Sequence, residues 1–296
     1  MEPIHTLADL DNWSFEGTAL AVLGHPIEHS ISPAMHNTAL AEMAETDARF
    51  VTWRYFRFDV PPDDLPLALD RLRAAGFYGL NLTVPHKILA LDTIATIDER
   101  AQPIGAVNTL RLNDSDWHGF NTDGYGLATA VQETFGIDIT DTPIVLLGAG
   151  GAARGAAVEC LQRGCASLHI ANRTAANRDA LLAQLQPITG ETPVSGFAPA
   201  EVPANLPTGA LVINATSAGL KPADPLPIDL RQIPSPRGVY DMIYNPAETK
   251  LLATAKSLGT PQANGLSMLI HQGVRALEIW SEAPVPVAAM RRAVTA

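Results

Sequence analysis

Short apolar runs alternate with helix-like patterns through the first part of the chain. Apolar runs at residues 19–23, 49–58 and 79–84 predict strands, and apolar positions at helical spacing over residues 65–75 predict a helix. The alternation between residues 18 and 122 is typical of an α/β domain.

The middle of the chain repeats strand, helix and strand in a stricter order. An apolar run at residues 143–147 predicts a buried strand, and a helical pattern follows it to residue 163. Further strands are predicted at residues 167–171, 210–214 and 239–241, a helix at residues 175–185, and surface connections at residues 186–207 and 221–238. This order is what a doubly wound parallel sheet requires.

The chain ends in another helical pattern, over residues 268–280, which is too long for a frayed tail and must pack on something. Gly265, Met268 and Gln272 are spaced to share one face of this segment. Met268 suits a core stripe, whereas the amide of Gln272 needs hydrogen-bond partners when buried. A polar ligand would be one such partner.

Composition narrows the classes of partner. The chain has 296 residues, 47% of them hydrophobic, and a formal net charge of −11, which argues against nucleic acid or an anionic membrane as the main partner. No apolar run approaches a membrane span, and the N-terminus lacks the pattern of a signal peptide. Cys160 and Cys165 have no neighbouring metal ligands, so we expect reduced thiols in a cytoplasmic protein and no metal.

The strand at residues 143–147 runs directly into a glycine-rich segment of the dinucleotide-binding type. The first glycine permits a tight turn, the second lets the backbone approach a pyrophosphate, and the small last residue lets helix pack on strand. N–H groups at the helix start would hold the phosphates. The alternative is a glycine-rich turn that binds nothing. The predicted residues are Gly148, Ala149, Gly150, Gly151, Ala152 and Ala153.

The cofactor type follows from the end of the next strand. A cofactor with a free ribose 2′-hydroxyl usually meets a carboxylate there, but this chain has Asn172, Arg173 and Thr174. An arginine suits a 2′-phosphate, so the sequence favours NADP over NAD. The alternative for Arg173 is a solvated charge on a loop.

Lys87 lies where helix physics disfavours a cation. Pro85 suits the first turn of a helix that would run through Ile88 and Leu91, so Lys87 falls in that first turn. The helix dipole disfavours a charged amine there by a few tenths to about 1 kcal/mol, which suits a group that exchanges a proton. The alternative is an exposed lysine at a helix start.

Asp123 is the partner that we expect for Lys87, although it could simply cap a helix over residues 127–135. Ser32 precedes Pro33 and reads as a helix cap, whereas Ser30 lies two residues earlier in an extended loop. Two hydroxyls at this spacing can face one small polar ligand. Asn108 lies in a further loop that is rich in hydrogen-bonding groups.

Taken in order, these segments resemble the shikimate dehydrogenase family over nearly the whole chain. The matching segments are the serine pair with Pro and His-Asn (residues 30–37), N-x-T-x-P-x-K (81–87), G-A-V-N-T (105–109), N-T-D (121–123), the glycine-rich loop (148–153), N-R-T (172–174), N-A-T-S-A-G (214–219), D-M-I-Y-N-P (241–246) and Gly265, Met268 and Gln272.

The resemblance implies a role for each matching residue. Ser30, Ser32 and Tyr244 would hold the substrate carboxylate. Asn81, Asn108, Asp123 and Gln272 would bind ring hydroxyls, with Thr83 alongside. Lys87 and Asp123 would be catalytic as well as substrate-binding. The cofactor side would be completed by Asn214, Thr216, Ser217, Gly265 and Met268, with Met268 against the nicotinamide.

The resemblance also implies a fold and an activity. The fold would be a discontinuous α/β substrate domain, residues 1–124 with 264–296, and a Rossmann NADP-binding domain, residues 125–263. The activity would be reversible NADPH-dependent reduction of 3-dehydroshikimate to shikimate, with a small-molecule substrate, no metal, and a homodimer left open. The serine pair favours shikimate over quinate.

Three alternatives share part of this pattern. A quinate/shikimate dehydrogenase with a broader substrate range or NAD use would keep nearly every motif. A non-enzymatic NADP-sensing regulator would keep the glycine-rich loop but has no reason to keep Lys87, Asp123 and the serine pair. Another two-domain NADP-linked dehydrogenase would keep only the Rossmann half.

Overall fold

The computed structural model describes residues 2–295 and divides the chain into two compact units. The first unit runs from the N-terminus to Thr122 and resumes at Ile270, and the second comprises residues 123–269. The predicted domain ends at Met1 and Ala296 lie outside the described residues. The assignment of substrate to the first unit and of NADP to the second stays a prediction.

The strands follow the apolar runs of the sequence. In chain order they are β1 (Thr18–Gly24), β2 (Trp53–Asp59), β3 (Phe77–Leu82), β4 (Thr96–Ile97), β5 (Thr109–Asn113), β6 (Asp116–Phe120), β7 (Pro143–Leu147), β8 (Ser167–Ala171), β9 (Val194–Phe197), β10 (Leu211–Asn214), β11 (Gly238–Asp241) and β12 (Gln262–Ala263).

The α-helices connect these strands. In chain order they are α1 (Ser32–Ala44), α2 (Leu65–Ala74), α3 (His86–Leu89), α4 (Asp123–Phe135), α5 (Gly151–Gln162), α6 (Ala175–Leu185), α7 (Lys250–Ser257), α8 (Leu266–Ser281) and α9 (Val287–Thr295). Short 3₁₀ turns complete the connections, for example at Ala48–Thr52 and Ala90–Asp92.

The sheet of the first unit is mixed, in the order β2-β1-β3-β5-β6-β4. Strand β1 pairs in parallel with β2 and β3, whereas β5 is antiparallel to both β3 and β6. The returning helix α8 is fixed to this sheet by Trp280, whose indole N–H donates to the carbonyl of Leu110 at 2.9 Å. Gly79 leaves the space for the indole, because a Cβ there would lie 2.4 Å from its nitrogen.

The sheet of the second unit is wholly parallel, in the order β12-β11-β10-β7-β8-β9. Its central strands are buried along almost their whole length, which is why they read as continuous apolar runs. The chain winds from β7 to β8 and β9 on one side and to β10, β11 and β12 on the other. The carboxyl ends of β7, β8 and β10 therefore flank the point at which ligands bind in open α/β sheets.

The α/β class with two sheets is confirmed, and several details of the sequence expectation are corrected. The predicted strand at residues 49–58 begins with the turn Ala48–Thr52, because the Asp47 carboxylate accepts from the Arg49 N–H and caps it. The predicted connection at residues 186–207 contains β9, a four-residue edge strand. The predicted helix at residues 127–135 begins four residues earlier, at Asp123, which lies in its first turn rather than before it.

The helix that carries Lys87 is shorter than predicted. Pro85 lies before α3 instead of inside it, and α3 has four residues before a 3₁₀ turn takes over at Ala90. A single turn aligns few peptide dipoles, so the helix-dipole argument for Lys87 loses most of its force. The lysine has to be judged by its neighbours instead.

Residues 2–295 contain neither a membrane-spanning helix nor a cluster of metal-ligating side chains. No helix there has both the length and the apolar character needed to cross a membrane. Within the same residues, no three His, Cys, Asp or Glu side chains are arranged to hold a metal ion.

Candidate functional site

The predicted polar residues of the first unit cluster at one edge of its sheet. Ser30 and Ser32 follow the end of β1, and Asn81 and Thr83 lie at the end of β3. These two strands are parallel, so their carboxyl ends meet at the same edge. Asn108 precedes β5, which is antiparallel to β3 and begins beside Asn81. The sheet topology therefore brings distant sequence motifs together.

The side-chain amide of Asn81 is buried and fully held. Its two N–H groups donate to the carbonyl of Asn108 and to the hydroxyl of Thr109, both at 3.0 Å. Its oxygen accepts from the hydroxyl of Tyr55 at 2.7 Å. Because both donors are used, Asn81 has only the remaining lone pair of its oxygen to offer a ligand.

Asn108 extends this network to the C-terminal helix. Its side-chain oxygen accepts from the Thr122 N–H at 2.8 Å and the Thr109 hydroxyl at 3.0 Å. Its side-chain N–H groups donate to the Thr122 hydroxyl at 3.0 Å and to the Gln272 side-chain oxygen at 3.4 Å. Asn81, Asn108 and Gln272 are thus joined, partly through residues that the sequence analysis did not single out.

Tyr55 and His36 are buried side chains next to this cluster. Tyr55 is fully buried, and burial raises the pKa of its hydroxyl well above the usual value while a hydrogen bond with Ser32 opposes that rise. His36 stacks flat on Tyr55, with ring centroids 4.1 Å apart. Burial lowers the pKa of His36 from 6.5 to about 3, so its ring is neutral. Neither ring nitrogen of His36 has a hydrogen-bond partner among the described residues.

The turn that carries Lys87 is anchored on both sides. The carbonyl of Lys87 accepts from the Val107 N–H at 2.8 Å, directly before Asn108. The neighbouring His86 ring is hydrogen-bonded to the carbonyl of Val60 at 2.9 Å, and the N–H of Thr83 donates to Leu23 at 2.9 Å. The backbone of Lys87 is therefore fixed beside the Asn108 segment.

The second unit has a cleft of about 460 Å³ at the carboxyl ends of β7, β8 and β10. Predicted cofactor residues line much of it, namely Gly148, Ala149, Gly150, Asn172, Arg173, Thr174, Thr216 and Ser217. Asn177 and Asp224 line it too and had no signal in the sequence. Gly151, Ala152 and Ala153 form the first turn of α5.

The cleft fits a dinucleotide. Gly148 has a φ of +116° and no room for a side chain, because a Cβ would lie 3.1 Å from the Ala215 carbonyl. Gly150 and Gly151 face open space, so a phosphate can approach their backbone. No side chain caps the start of α5, which leaves its first N–H groups directed at that space. Arg173 supplies a cation at the end of β8.

The other predicted residues of the second unit lie apart from this lining. Asn214 is wholly buried behind it. Gly265 precedes α8 and its N–H donates to Ile243, while the N–H of Met268 donates to the Tyr240 hydroxyl at 3.1 Å. Tyr244 follows β11 and is 39% exposed. Asp123 begins the second unit, whereas Lys87 belongs to the first, so their predicted partnership stays a prediction.

Comparisons with known proteins agree with this architecture. A model of the shikimate dehydrogenase substrate binding domain matches residues 22–110, and one of the shikimate 5′-dehydrogenase C-terminal domain matches residues 265–295. The shikimate dehydrogenase (NADP(+)) of Moorella thermoacetica is 40% identical over 277 residues, which are 92% of this chain and 91% of that protein.

Solved structures are similar across the same span. Shikimate 5-dehydrogenase of Thermus thermophilus, in complex with NADP(H) and shikimate, has a TM-score of 0.80 and 34% identity over 93% of this chain and 98% of that one. The ligand-free 5-ketofructose reductase of a Gluconobacter strain has a TM-score of 0.82 and 32% identity over 95% of this chain and 98% of that one.

A wholly parallel sheet with a glycine-rich turn and a cleft at the carboxyl ends of its strands defines a dinucleotide-binding protein of the Rossmann class. The sequence identity of 40% to the Moorella thermoacetica shikimate dehydrogenase, over 92% of this chain, identifies the family within this class. The chain belongs to the shikimate dehydrogenase family.

His36 gives the first unit a specific acid sensitivity. Its pKa in the folded chain, about 3, lies below its ordinary value of 6.5, so between these pH values the unfolded chain binds the extra proton. The free energy of unfolding should therefore fall as the pH drops below 6.5, by up to about 1.4 kcal/mol per pH unit, and His36 should add no slope above it. Urea unfolding between pH 7 and 5 measures this. His36→Phe keeps a ring on Tyr55 and should have a shallower slope; equal slopes would contradict the assignment.

Proposed function

We propose that this protein catalyses the reversible reduction of 3-dehydroshikimate to shikimate with NADPH. Two observations together carry the proposal: a dinucleotide cleft with Arg173, and a separate hydrogen-bonded polar cluster beside Lys87, whose backbone carbonyl accepts from Val107. A protein that only binds a nucleotide would need the dinucleotide cleft but not the polar cluster. The shikimate dehydrogenases that this chain resembles act on shikimate, which has a carboxylate and several hydroxyls. Such a substrate suits the chemistry of the polar cluster.

The substrate side rests on the polar cluster of the first unit. Asn81 accepts a hydrogen bond from a ring hydroxyl, because its donors are already used. Asn108 and Gln272 bind the neighbouring hydroxyls, with Thr83 alongside. Ser30 and Ser32 donate to the carboxylate, and Tyr244 and Asp123 are the further substrate residues that the family resemblance implies. Fixed partners of this kind orient a polyol at little further entropic cost.

The cofactor side rests on the cleft of the second unit. When bound, NADPH supplies the hydride that the carbonyl carbon of the substrate receives. The backbone of Gly148, Gly150 and Gly151 and the start of α5 would hold the pyrophosphate. Arg173 would pair with the 2′-phosphate. Asn172 holds this triplet in shape by donating to the carbonyl of Thr174 at 2.9 Å.

Lys87 and Asp123 complete the reaction by moving a proton. Lys87 donates a proton to the carbonyl oxygen as the carbon becomes an alcohol carbon, and Asp123 orients the amine and the hydroxyl. In the reverse direction the amine accepts the hydroxyl proton. Substrate, NADPH and one proton thus give shikimate and NADP⁺.

We also expect a cytoplasmic enzyme, because Cys160 and Cys165 are buried free thiols.

The oligomeric state is left open between a monomer and a homodimer. Light scattering of the purified chain would distinguish the two.

One assay tests the proposed activity against its rivals. Shikimate and quinate are each offered with NADP⁺ and with NAD⁺, and the absorbance of reduced cofactor is followed at about 340 nm; 5-ketofructose is offered with NADPH as a further arm. We expect the shikimate and NADP⁺ pair to have the highest kcat/KM. Preference for quinate or NAD⁺ would indicate the broader dehydrogenase, and preference for 5-ketofructose another branch of the fold. NADP⁺ binding without turnover would indicate a regulator.

Replacing Lys87 tests its role in proton transfer. Lys87→Ala should lower kcat by roughly 10²–10⁴-fold with a modest change in KM, because it removes a general acid–base group. Lys256→Ala removes an exposed amine from α7 and serves as the matched control. Steady-state kinetics measure both, and near-normal turnover of Lys87→Ala would overturn the assignment.

Replacing Arg173 tests the choice of cofactor. Arg173→Ala should weaken NADPH binding roughly tenfold or more and NADH binding little, because only NADPH has a 2′-phosphate. The control is Arg163→Ala. Arg163 directly follows the C-terminus of α5, at the other end of this helix from the glycine-rich loop. Titration with both cofactors gives the dissociation constants. Equal losses for NADPH and NADH would exclude a contact with the 2′-phosphate.

A further inference from the structure

Strand β2 of the first unit carries a buried arginine that the proposed reaction does not use. Arg57 is only 4% exposed, and its side chain forms no ion pair with a carboxylate among residues 2–295. Its guanidinium donates instead to two backbone carbonyls, that of Glu28 at 2.8 Å and that of Glu2 at 2.6 Å. Its Nε is buried without a partner in the same part of the chain. Burying a cation in this way is costly, so the segments that it joins are the contacts to consider.

One of these carbonyls belongs to a tight turn directly before the serine pair. The Ser30 N–H donates to the Ile27 carbonyl at 3.0 Å, which closes a turn over residues 27–30. The Glu28 carbonyl lies in the central peptide of this turn and takes no part in that hydrogen bond. It needs another partner, and Arg57 supplies one. Arg57 therefore fixes the orientation of the central peptide of the turn.

Other contacts hold the ends of the serine loop, which we define as residues 25–32. At its start, the His25 ring is hydrogen-bonded to the Asp59 carboxylate at 2.9 Å. At its end, Ser32 is hydrogen-bonded with the hydroxyl of Tyr55. The two central residues of the turn between these ends are exposed and pack on little. Arg57 thus supports the part of the loop that packing supports least.

Arg57 and Tyr55 act from the same face of β2. They lie two residues apart on the strand, so their side chains point the same way, whereas the alternate residues face the hydrophobic core. Tyr55 reaches Asn81 and Ser32, and Arg57 reaches the turn that leads into Ser30. One face of β2 therefore supports both the polar cluster and the serine loop.

We propose that Arg57 is a positioning residue for the serine loop, which fixes the turn over residues 27–30 and thereby the direction in which Ser30 meets a carboxylate. It acts through the backbone and not by contact with the substrate. The inference rests on the proposed function for the identity of the substrate, whose carboxylate Ser30 and Ser32 would bind. Its structural content, that Arg57 holds the turn, is testable without any substrate.

Hydrogen exchange followed by NMR tests the positioning directly. Arg57→Met keeps a long side chain in the same place and removes both donors. The Ser30 N–H should then exchange roughly tenfold or more faster, while the N–H groups of β7 in the second unit should be unaffected, because the loss is local. Arg57→Lys keeps the cation and one donor, so it should give an intermediate rate. It also provides the test if Arg57→Met does not fold.

Arg54→Met is the matched control. Arg54 lies on the same strand, is exposed, and donates to the side chain of Glu2 at 2.8 Å. It therefore shares the N-terminal segment with Arg57 but not the turn. Exchange of the Ser30 N–H in Arg54→Met should equal that of the unaltered protein.

Steady-state kinetics test what the turn does for the substrate. In Arg57→Met the KM for shikimate should rise roughly tenfold, because the serine loop is no longer preorganised for the carboxylate. Its kcat should stay within about threefold and its NADP⁺ dissociation constant within about twofold, since Lys87 and the cofactor cleft are held by other contacts. Arg54→Met should leave all three values unchanged.

The outcomes separate this inference from the function on which it rests. Faster exchange at Ser30 together with a selective rise in KM supports it. Unchanged exchange in Arg57→Met, faster exchange with an unchanged KM, or the same response in Arg54→Met overturns it. If exchange responds as expected but the unaltered protein does not oxidise shikimate, Arg57 holds the turn and it is the proposed function that fails.

Discussion

The buried amide of Asn81 is the constraint on which the polar cluster depends. An amide at the edge of a sheet, closed off from water, needs partners for both donors and for its oxygen. The neighbouring residues Asn108 and Thr109 supply the acceptors, and Tyr55, from a different part of the chain, supplies the donor. Once these bonds are made, the direction of the amide is no longer free. A substrate bound at the predicted site would meet a fixed acceptor, close to Lys87, whose carbonyl accepts from the Val107 N–H.

The cleft of the second unit also depends on a fixed arrangement of hydrogen-bonding groups, but these belong mainly to the backbone. The cleft is made largely of backbone, with Gly148 in a conformation that side chains disfavour and N–H groups directed at open space. Such a surface is specific only if its walls keep their shape. The wall after β10, formed by residues 215–218, is kept by side chains that do not line the cleft, Asn214 and Asp241. In both units, buried polar side chains that are hydrogen-bonded to one another therefore support the predicted binding groups.

The sequence predicted the elements whose signals are local. Strands β7 and β8 and helix α6 matched their apolar patterns to the residue, and the glycine-rich loop indicated its own turn. The extent of α3 was wrong, because Pro85 and the following 3₁₀ turn limit the helix to one turn. The sequence did not show that Tyr55 and Asp241 belong to hydrogen-bond networks. A tyrosine within an apolar strand is indistinguishable from a core residue, and an aspartate at the end of such a strand is indistinguishable from a helix cap. Their roles depend on pairing between distant segments, which a single sequence does not encode locally.

The proposed substrate site depends on the direction of the Asn81 amide, which the hydrogen bond from Tyr55 helps to fix. A double-mutant cycle on kcat/KM for shikimate tests it most directly, with Tyr55→Phe, Asn81→Ala and the two combined. Tyr55→Phe keeps the ring that stacks on His36 and removes only the hydroxyl. The account predicts that it lowers kcat/KM roughly tenfold in the unaltered chain, chiefly through KM, and has little further effect once Asn81 is alanine. The same loss in both backgrounds would contradict the account.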